Sequence, residues 1–204
     1  MVEVEIDPVA ARELIEVGKF AAERGWVPAT SGNFSRRLDA KRVLVTRSGA
    51  DKGALRTEDL AVVDLSAALP AGVSAETPLH LARYRSDDRI GAIVHVHSVA
   101  ATVLSRAALP LGSLELHGWE MQKALEGHLT HDETIRVPVF ANAQDTERLA
   151  SEIEAALAKG CAVPGYLLAG HGLYAWGGTM ALARRHAEGL EFLLRCALEE
   201  RRFQ

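Results

Sequence analysis

The chain has 204 residues, 48% of them hydrophobic, which is enough for one substantial core and, by length, for a single domain over residues 1–204. Charged residues make up 25%, the formal net charge is −4 and no long block carries one sign, so neither a general nucleic-acid binder nor a membrane-surface binder is favoured. The two cysteines, Cys161 and Cys196, form no CxxC pair, which excludes a cysteine-rich zinc site and suits a reducing cytoplasm. The acidic start MVEVEIDPVAA lacks the apolar segment of a signal peptide, and no run approaches the roughly 18 apolar residues of a membrane span.

In chain order, DPVAARELIEVGKFAAERG predicts a helix, with Asp7 as N-cap, Pro8 in the first turn and Gly25 at the stop. TSGNFS follows as a polar turn around Gly32. FSRRL and RVLVT form a hairpin, SGADKG is a glycine-rich loop and LAVVDL a short strand. ETPLHLARYRS reads as a helix, IGAIVHVH as a strand, SVAATVLSRAAL and WEMQKALEG as helices. IRVPVF is a strand whose Pro138 suits a sheet edge. DTERLASEIEAALAKG is a periodic helix closed by Gly160, GYLLAGHGLYAWG is two strands joined by Gly–His–Gly, and a last helix starts near Thr179. This irregular alternation implies a mixed or antiparallel sheet with helices packed on it. GxGxxG and GxxxxGK[ST] are both absent, so nucleotide phosphates are not the obvious ligand.

His95 and His97 lie two apart on a strand and therefore share one face, where two imidazoles can converge on a metal ion. An isolated HxH is as often a pair of half-exposed strand residues. His171, presented between Gly170 and Gly172 on a bare turn, makes a third ligand, and three histidines leave one position open on a tetrahedral zinc, the catalytic pattern. Iron, cobalt, nickel or manganese could also occupy such a site. His80 and His186 read as packing or surface residues, and His128 and His131 as solvated; His117 stands near a carboxylate candidate. SGN, RSG and VSA are loops rich in backbone N–H groups and small hydroxyls, the kind that cradle a phosphate. Arg47, Lys52 and Lys123 are candidate cationic helpers, a solvated surface being the plainer reading of each.

TSGNFSRR, VLVTRSGADKG, SAETPLHLARYRSDDRIGAIVHVHS and LLAGHGLYAWG, in this order, resemble the zinc-dependent class II aldolase/epimerase family, and the resemblance covers most of the chain. It implies a three-layer α/β/α fold around a mainly antiparallel, mixed sheet, often in a homotetramer. It implies one zinc per subunit on His95, His97 and His171, with Glu76 matching a glutamate of the sugar-phosphate aldolases. It implies a phosphate site at Gly32, Asn33, Ser48, Gly49 and Ser74. Ala75 stands where the aldolases usually carry a second serine.

LHGWEMQKAL resembles the HxEMxK segment of the family's methylthioribulose-1-phosphate dehydratase branch, which serves methionine salvage; here the His117-to-Glu120 spacing is one residue longer. This resemblance implies Glu120 as general acid/base, Lys123 among the substrate-binding residues and His117 beside the pocket. The implied reaction dehydrates 5-methylthioribulose 1-phosphate to 2,3-diketo-5-methylthiopentyl 1-phosphate through an enediolate stabilised by zinc. The alternatives are a fuculose- or rhamnulose-phosphate type aldolase, a ribulose-phosphate epimerase, and a non-catalytic binder of zinc and sugar phosphate. Family aldolases resemble one another in using a tyrosine from a middle or C-terminal segment. No tyrosine lies here between residues 110 and 160, so the dehydratase ranks first.

Overall fold

The computed structural model describes residues 6–203; the acidic start over residues 1–5 lies outside the described residues. Asp7 accepts from the Val9 N–H and Pro8 takes the first helical position, and together they open α1 (Pro8–Glu23). The hairpin is β1 (Asn33–Arg37) and β2 (Arg42–Thr46), followed by β3 (Leu60–Asp64), α2 (Thr77–Ser86), β4 (Ala92–Val96) and α3 (Val99–Ala108). Then come β5 (Ser113–Leu116), β6 (Ile135–Phe140), α4 (Thr146–Leu157), the hairpin β7 (Gly165–Leu168) and β8 (Gly172–Gly177), and α5 (Met180–Glu200). No helix among the described residues is long and apolar enough to cross a membrane.

The eight strands form one sheet in the order β3-β2-β1-β4-β8-β7-β6-β5, antiparallel throughout except for β6 and β7. Strand alternation divides the core between two layers. Phe34, Leu44, Val94, Val96, Leu173 and Ala175 pack beneath α1, α3 and α5, while Val45, Ile93, Tyr166, Leu168 and Tyr174 pack beneath α2 and α4. This is the three-layer α/β/α arrangement around a mainly antiparallel sheet that the resemblance implies.

Three local expectations are corrected. WEMQKALEG is not an α-helix but a single 3-10 turn over Glu120–Ala124. Gln122 is fully buried there, accepting from the Trp119 N–H within the turn and donating to the Glu133 carbonyl, and the bond to Glu133 ties the turn to the segment before β6. β6 is an interior strand despite Pro138, because β5 pairs along its outer side. Its ladder to β7 begins only at Val139, so the missing N–H of Pro138 costs no β7 bond. His128 is buried, with its ring against Glu133 and the Ala162 carbonyl, where a polar loop predicts a solvated side chain. His80 and His186 are core residues.

Candidate metal centre

The central strands set the site. In register, Asn33 of β1 faces His95 of β4, which faces Tyr174 of β8, so these three form a row across the sheet. His97 follows β4 directly, and its N–H donates to the Trp26 carbonyl. His171 sits in the turn between β7 and β8. Gly172 beside it packs so close to the Val96 carbonyl that no Cβ fits, which lets the turn lie against the end of β4. Gly32 has φ +72° and a Cβ there would stand 2.7 Å from the His95 carbonyl, so glycine is required where this loop crosses the strand.

Glu76, His95, His97 and His171 come together, with one donor atom from each within 4.8 Å of all the others. The three Nε2 atoms lie 2.8 Å (His95–His97), 2.9 Å (His97–His171) and 3.2 Å (His95–His171) apart. His95 Nδ1 faces the Leu173 carbonyl at 3.0 Å; a carbonyl only accepts, so this Nδ1 carries the proton and Nε2 presents its lone pair. His171 Nδ1 faces Asn142 Oδ1 at 3.3 Å, with the same consequence. Lone pairs this close repel one another unless a cation stands between them. Glu76 Oε1 lies 2.8 Å from His171 Nε2 and Oε2 3.3 Å from His95 Nε2. Asn33 donates its amide to the Glu76 carboxylate and to Ser74 Oγ.

The protonation states suit a metal. Burial pushes His95 and His97 down, His97 to about 3, so both imidazoles are neutral at pH 7. Burial alone would raise the Glu76 carboxyl, but the charge and hydrogen bonds of His95 and His171, when those rings carry a proton, outweigh it and hold it well below the usual carboxylate range; a cation in place of those protons acts in the same direction. Neutral imidazoles beside an ionised carboxylate are what a divalent cation needs. The donor set therefore fits a metal ion.

Backing groups fix these ligands. The Tyr174 ring stacks on His95 with centroids 3.9 Å apart, and Tyr166 stacks on Tyr174 at 4.8 Å. On α3, Thr102 Oγ1 lies 2.8 Å from the Ser98 carbonyl and 2.9 Å from the His171 carbonyl, bridging the segments that carry His97 and His171. Ser105 Oγ accepts from the Gly170 N–H at 3.1 Å. Nothing in the sequence alone singles out Thr102, Ser105, Asn142 or Tyr174, because each acts only once the strands are paired.

Gly32, Asn33, Ser48, Gly49 and Ser74 line one cleft of about 200 Å³ that also reaches Glu76 and His97. The Ser48 N–H donates to the Gly72 carbonyl, so its hydroxyl, not its backbone N–H, is the donor it offers the cleft. Lys123 is not in this cleft, being paired with Glu120. Glu120 stands elsewhere in the chain. Its side chain is 71% exposed, its partners are Lys123 and His131, and it lines a surface cleft with Trp119, Met121, Arg185, Phe192 and Cys196. The hydrogen bond from Lys123 holds the Glu120 carboxyl below its ordinary value. His117 is exposed, with Nδ1 3.4 Å from Thr134 Oγ1 at the end of the β5–β6 pair.

The chain belongs to the family described as Class II Aldolase and Adducin N-terminal domain, whose model matches residues 12–198. Among curated relatives it is 50% identical over 194 residues to the methylthioribulose-1-phosphate dehydratase of Sorangium cellulosum, covering 93% of this chain and 92% of that one. It is 52% identical over 194 residues to the protein of that name from a Bradyrhizobium species, covering 93% and 90%. Among solved structures, the l-fuculose-1-phosphate aldolase of Thermus thermophilus superposes with a TM-score of 0.78 at 30% identity, over 96% of this chain and 95% of that one.

Proposed function

We propose that this chain is a cytoplasmic, zinc-dependent hydro-lyase that converts 5-methylthioribulose 1-phosphate to 2,3-diketo-5-methylthiopentyl 1-phosphate in methionine salvage. The observation that carries this reading is one continuous site. A Glu/His3 cluster opens onto a cleft of hydroxyls and loop backbone, in a chain half identical to dehydratases of that name. Zinc suits three imidazoles and a carboxylate, and when bound supplies Lewis-acid stabilisation of negative charge on a substrate oxygen.

The chain's own residues do the rest. Ser48, Ser74, Asn33 and the Gly32 and Gly49 backbone bind the phosphate, which directs the ketose carbonyl toward His97 and Glu76. Glu120 takes the proton from C3 and returns a proton to the C4 hydroxyl. The C3–H and C4–O bonds break, water leaves, and the resulting enol tautomerises to the diketone with no net oxidation. To act as acid, Glu120 needs its pKa raised toward neutrality. Burial does that, and a single copy leaves it exposed.

We therefore assign Glu120 to the site of a neighbouring copy in a homotetramer. Met121 and Phe192 beside it are exposed, and Phe192 also borders a cleft next to exposed Val99, an apolar face suited to such contact. Lys123 and His117 would enter with it. An aldolase needs a phenol or equivalent acid at the leaving aldehyde. Tyr84, Tyr166 and Tyr174 are each at most 2% exposed and burial raises all three, which disfavours that alternative.

Metal-analysed protein incubated with 5-methylthioribulose 1-phosphate, with products read by mass spectrometry, tests the reading. Loss of one water is expected. Cleavage to dihydroxyacetone phosphate and an aldehyde would assign an aldolase, and an unchanged substrate with metal present would leave only binding.

A further inference from the structure

The sequence offers Lys52 as a candidate cationic helper with a solvated surface role as the plainer reading, and the structure excludes the latter: Lys52 is 2% exposed and is the only buried lysine or arginine among the described residues. Asp51 caps a short 3-10 turn over Lys52–Ala54 by accepting from the Gly53 N–H, and this turn packs against α1. Lys52 Nζ donates to the Thr30 carbonyl at 2.9 Å and to the Ala50 carbonyl at 2.6 Å. An ammonium has three N–H donors. The third has no acceptor among the described residues, and Lys52 lines the same cleft as Asn33, Ser48 and Ser74. Arg47, the other cation there, already spends its Nε on the Glu58 and Leu60 carbonyls.

A second, independent observation lies across the cleft. Ala29 and Thr30 have φ +51° and +65°, a left-handed conformation that side chains with a Cβ avoid, most strongly when β-branched. Such backbone persists only where its surroundings hold it. The bond from Lys52 to the Thr30 carbonyl supplies that hold, and the turn leads directly into Ser31, Gly32 and Asn33.

We propose that Lys52 does two linked things at the anion end of the site: it locks the left-handed Ala29–Thr30 turn, and it gives its remaining N–H to the substrate phosphate. This rests on the reading of the cleft as a phosphate subsite and deepens it. Apart from Arg47, the cradle is built of neutral hydroxyls and backbone, so a buried ammonium with a free N–H adds strong attraction for a dianion. The turn continues into Asn33, whose amide holds Glu76. Phosphate binding thereby steadies the segment that aligns a metal-centre carboxylate.

The test titrates inorganic phosphate into metal-loaded wild type, Lys52→Met and Lys52→Arg by calorimetry. For Lys52→Met the dissociation constant should rise about 10- to 100-fold with metal content unchanged, and Lys52→Arg should recover part of the loss. With 5-methylthioribulose 1-phosphate, KM should rise far more than kcat falls. Wild-type phosphate affinity in Lys52→Met, or no phosphate binding by the wild type, overturns the proposal. Thr30→Gly adopts the positive φ without strain, so it separates contact from support. If Lys52→Met still binds phosphate weakly in that background, the anion contact stands. If affinity returns to the Thr30→Gly level, Lys52 only props the turn and the proposal fails. Phosphate binding is read without turnover. A wild type that binds phosphate through Lys52 but leaves the sugar phosphate intact would sink the dehydratase reading and keep this one.

Discussion

The proposed function divides the chemistry between the metal centre and the Trp119–Lys123 turn, and the fold treats the two in opposite ways. Each metal-centre residue has a second partner behind it: Leu173 for His95, Asn142 for His171, Trp26 for the His97 backbone and Asn33 for Glu76. The turn is tied down through Gln122, but its Glu120 carboxylate is 71% exposed, with Lys123 and His131 beside it. Of the four metal-centre residues, only His95 lies on a paired strand; His97 follows β4, His171 sits in the β7–β8 turn and Glu76 precedes α2, and the second partners hold each of them in place. A group that moves protons must meet the substrate after it has bound, and the proposal leaves Glu120 for a second copy to enclose. On the proposed reading, one copy holds and polarises while the next one transfers protons.

The largest effects should separate these halves. Glu120→Gln is expected to lower turnover by about 10²- to 10⁴-fold, the range of a general acid/base, with metal content unchanged by elemental analysis. His97→Ala should lose metal and activity together; full metal occupancy in that variant would remove His97 from the ligand set. A smaller effect is expected behind the ligands. Thr102→Val keeps the shape but removes the hydroxyl that bridges Ser98 and His171, so metal affinity measured by chelator competition should weaken about 10- to 100-fold. Thr102→Ser should restore it. Unaltered affinity in Thr102→Val would show that the bridge is incidental.

The smallest effect concerns pH and sharpens the contrast between buried and exposed. Burial holds His80, packed edge-on to Tyr174, down from 6.5 to about 3. Below pH 6.5 the unfolded chain takes up a proton that the folded chain refuses until about pH 3. The contribution of His80 is therefore intact above pH 6.5 and is lost progressively as pH falls toward 3, by at most about 1.4 kcal/mol per pH unit. Urea titrations of metal-free protein should show this slope flatten in His80→Asn. An identical slope in both proteins would place the acid sensitivity elsewhere.

The same contrast decides what was legible in the sequence. Asp7 and Pro8 act within one turn, and the HxH and GHG patterns act through strand alternation and a hairpin turn, so local rules reach them. Glu76, brought in by resemblance, proves to be within 4.8 Å of the three histidines. The rest depends on distant partners. WEMQKALEG has a helical composition, yet it forms only a 3-10 turn whose Gln122 is tied to Glu133. Lys52 in SGADKG is legible as a candidate cationic helper, but its burial against the Thr30 and Ala50 carbonyls is not. Pro138 signals an edge, but β5, unread in the mixed stretch after Pro110, covers it. Thr102 and Ser105 are ordinary helix residues until the turn that carries His171 reaches them.

The central claim is that one working site takes its metal half from one copy and Glu120 from another, and subunit mixing tests it directly. Glu120→Gln protein retains an intact metal half, and His97→Ala protein retains an intact Glu120. Each alone should be nearly inactive. Dissociated, mixed, reassembled and supplied with zinc, the two should regain a clear fraction of wild-type turnover, because some interfaces then pair a sound metal half with a sound Glu120. Mixed assemblies, verified by mass, that stay as inactive as their parents would contradict the shared site and return the proton-transfer role to a residue of the metal-bearing copy.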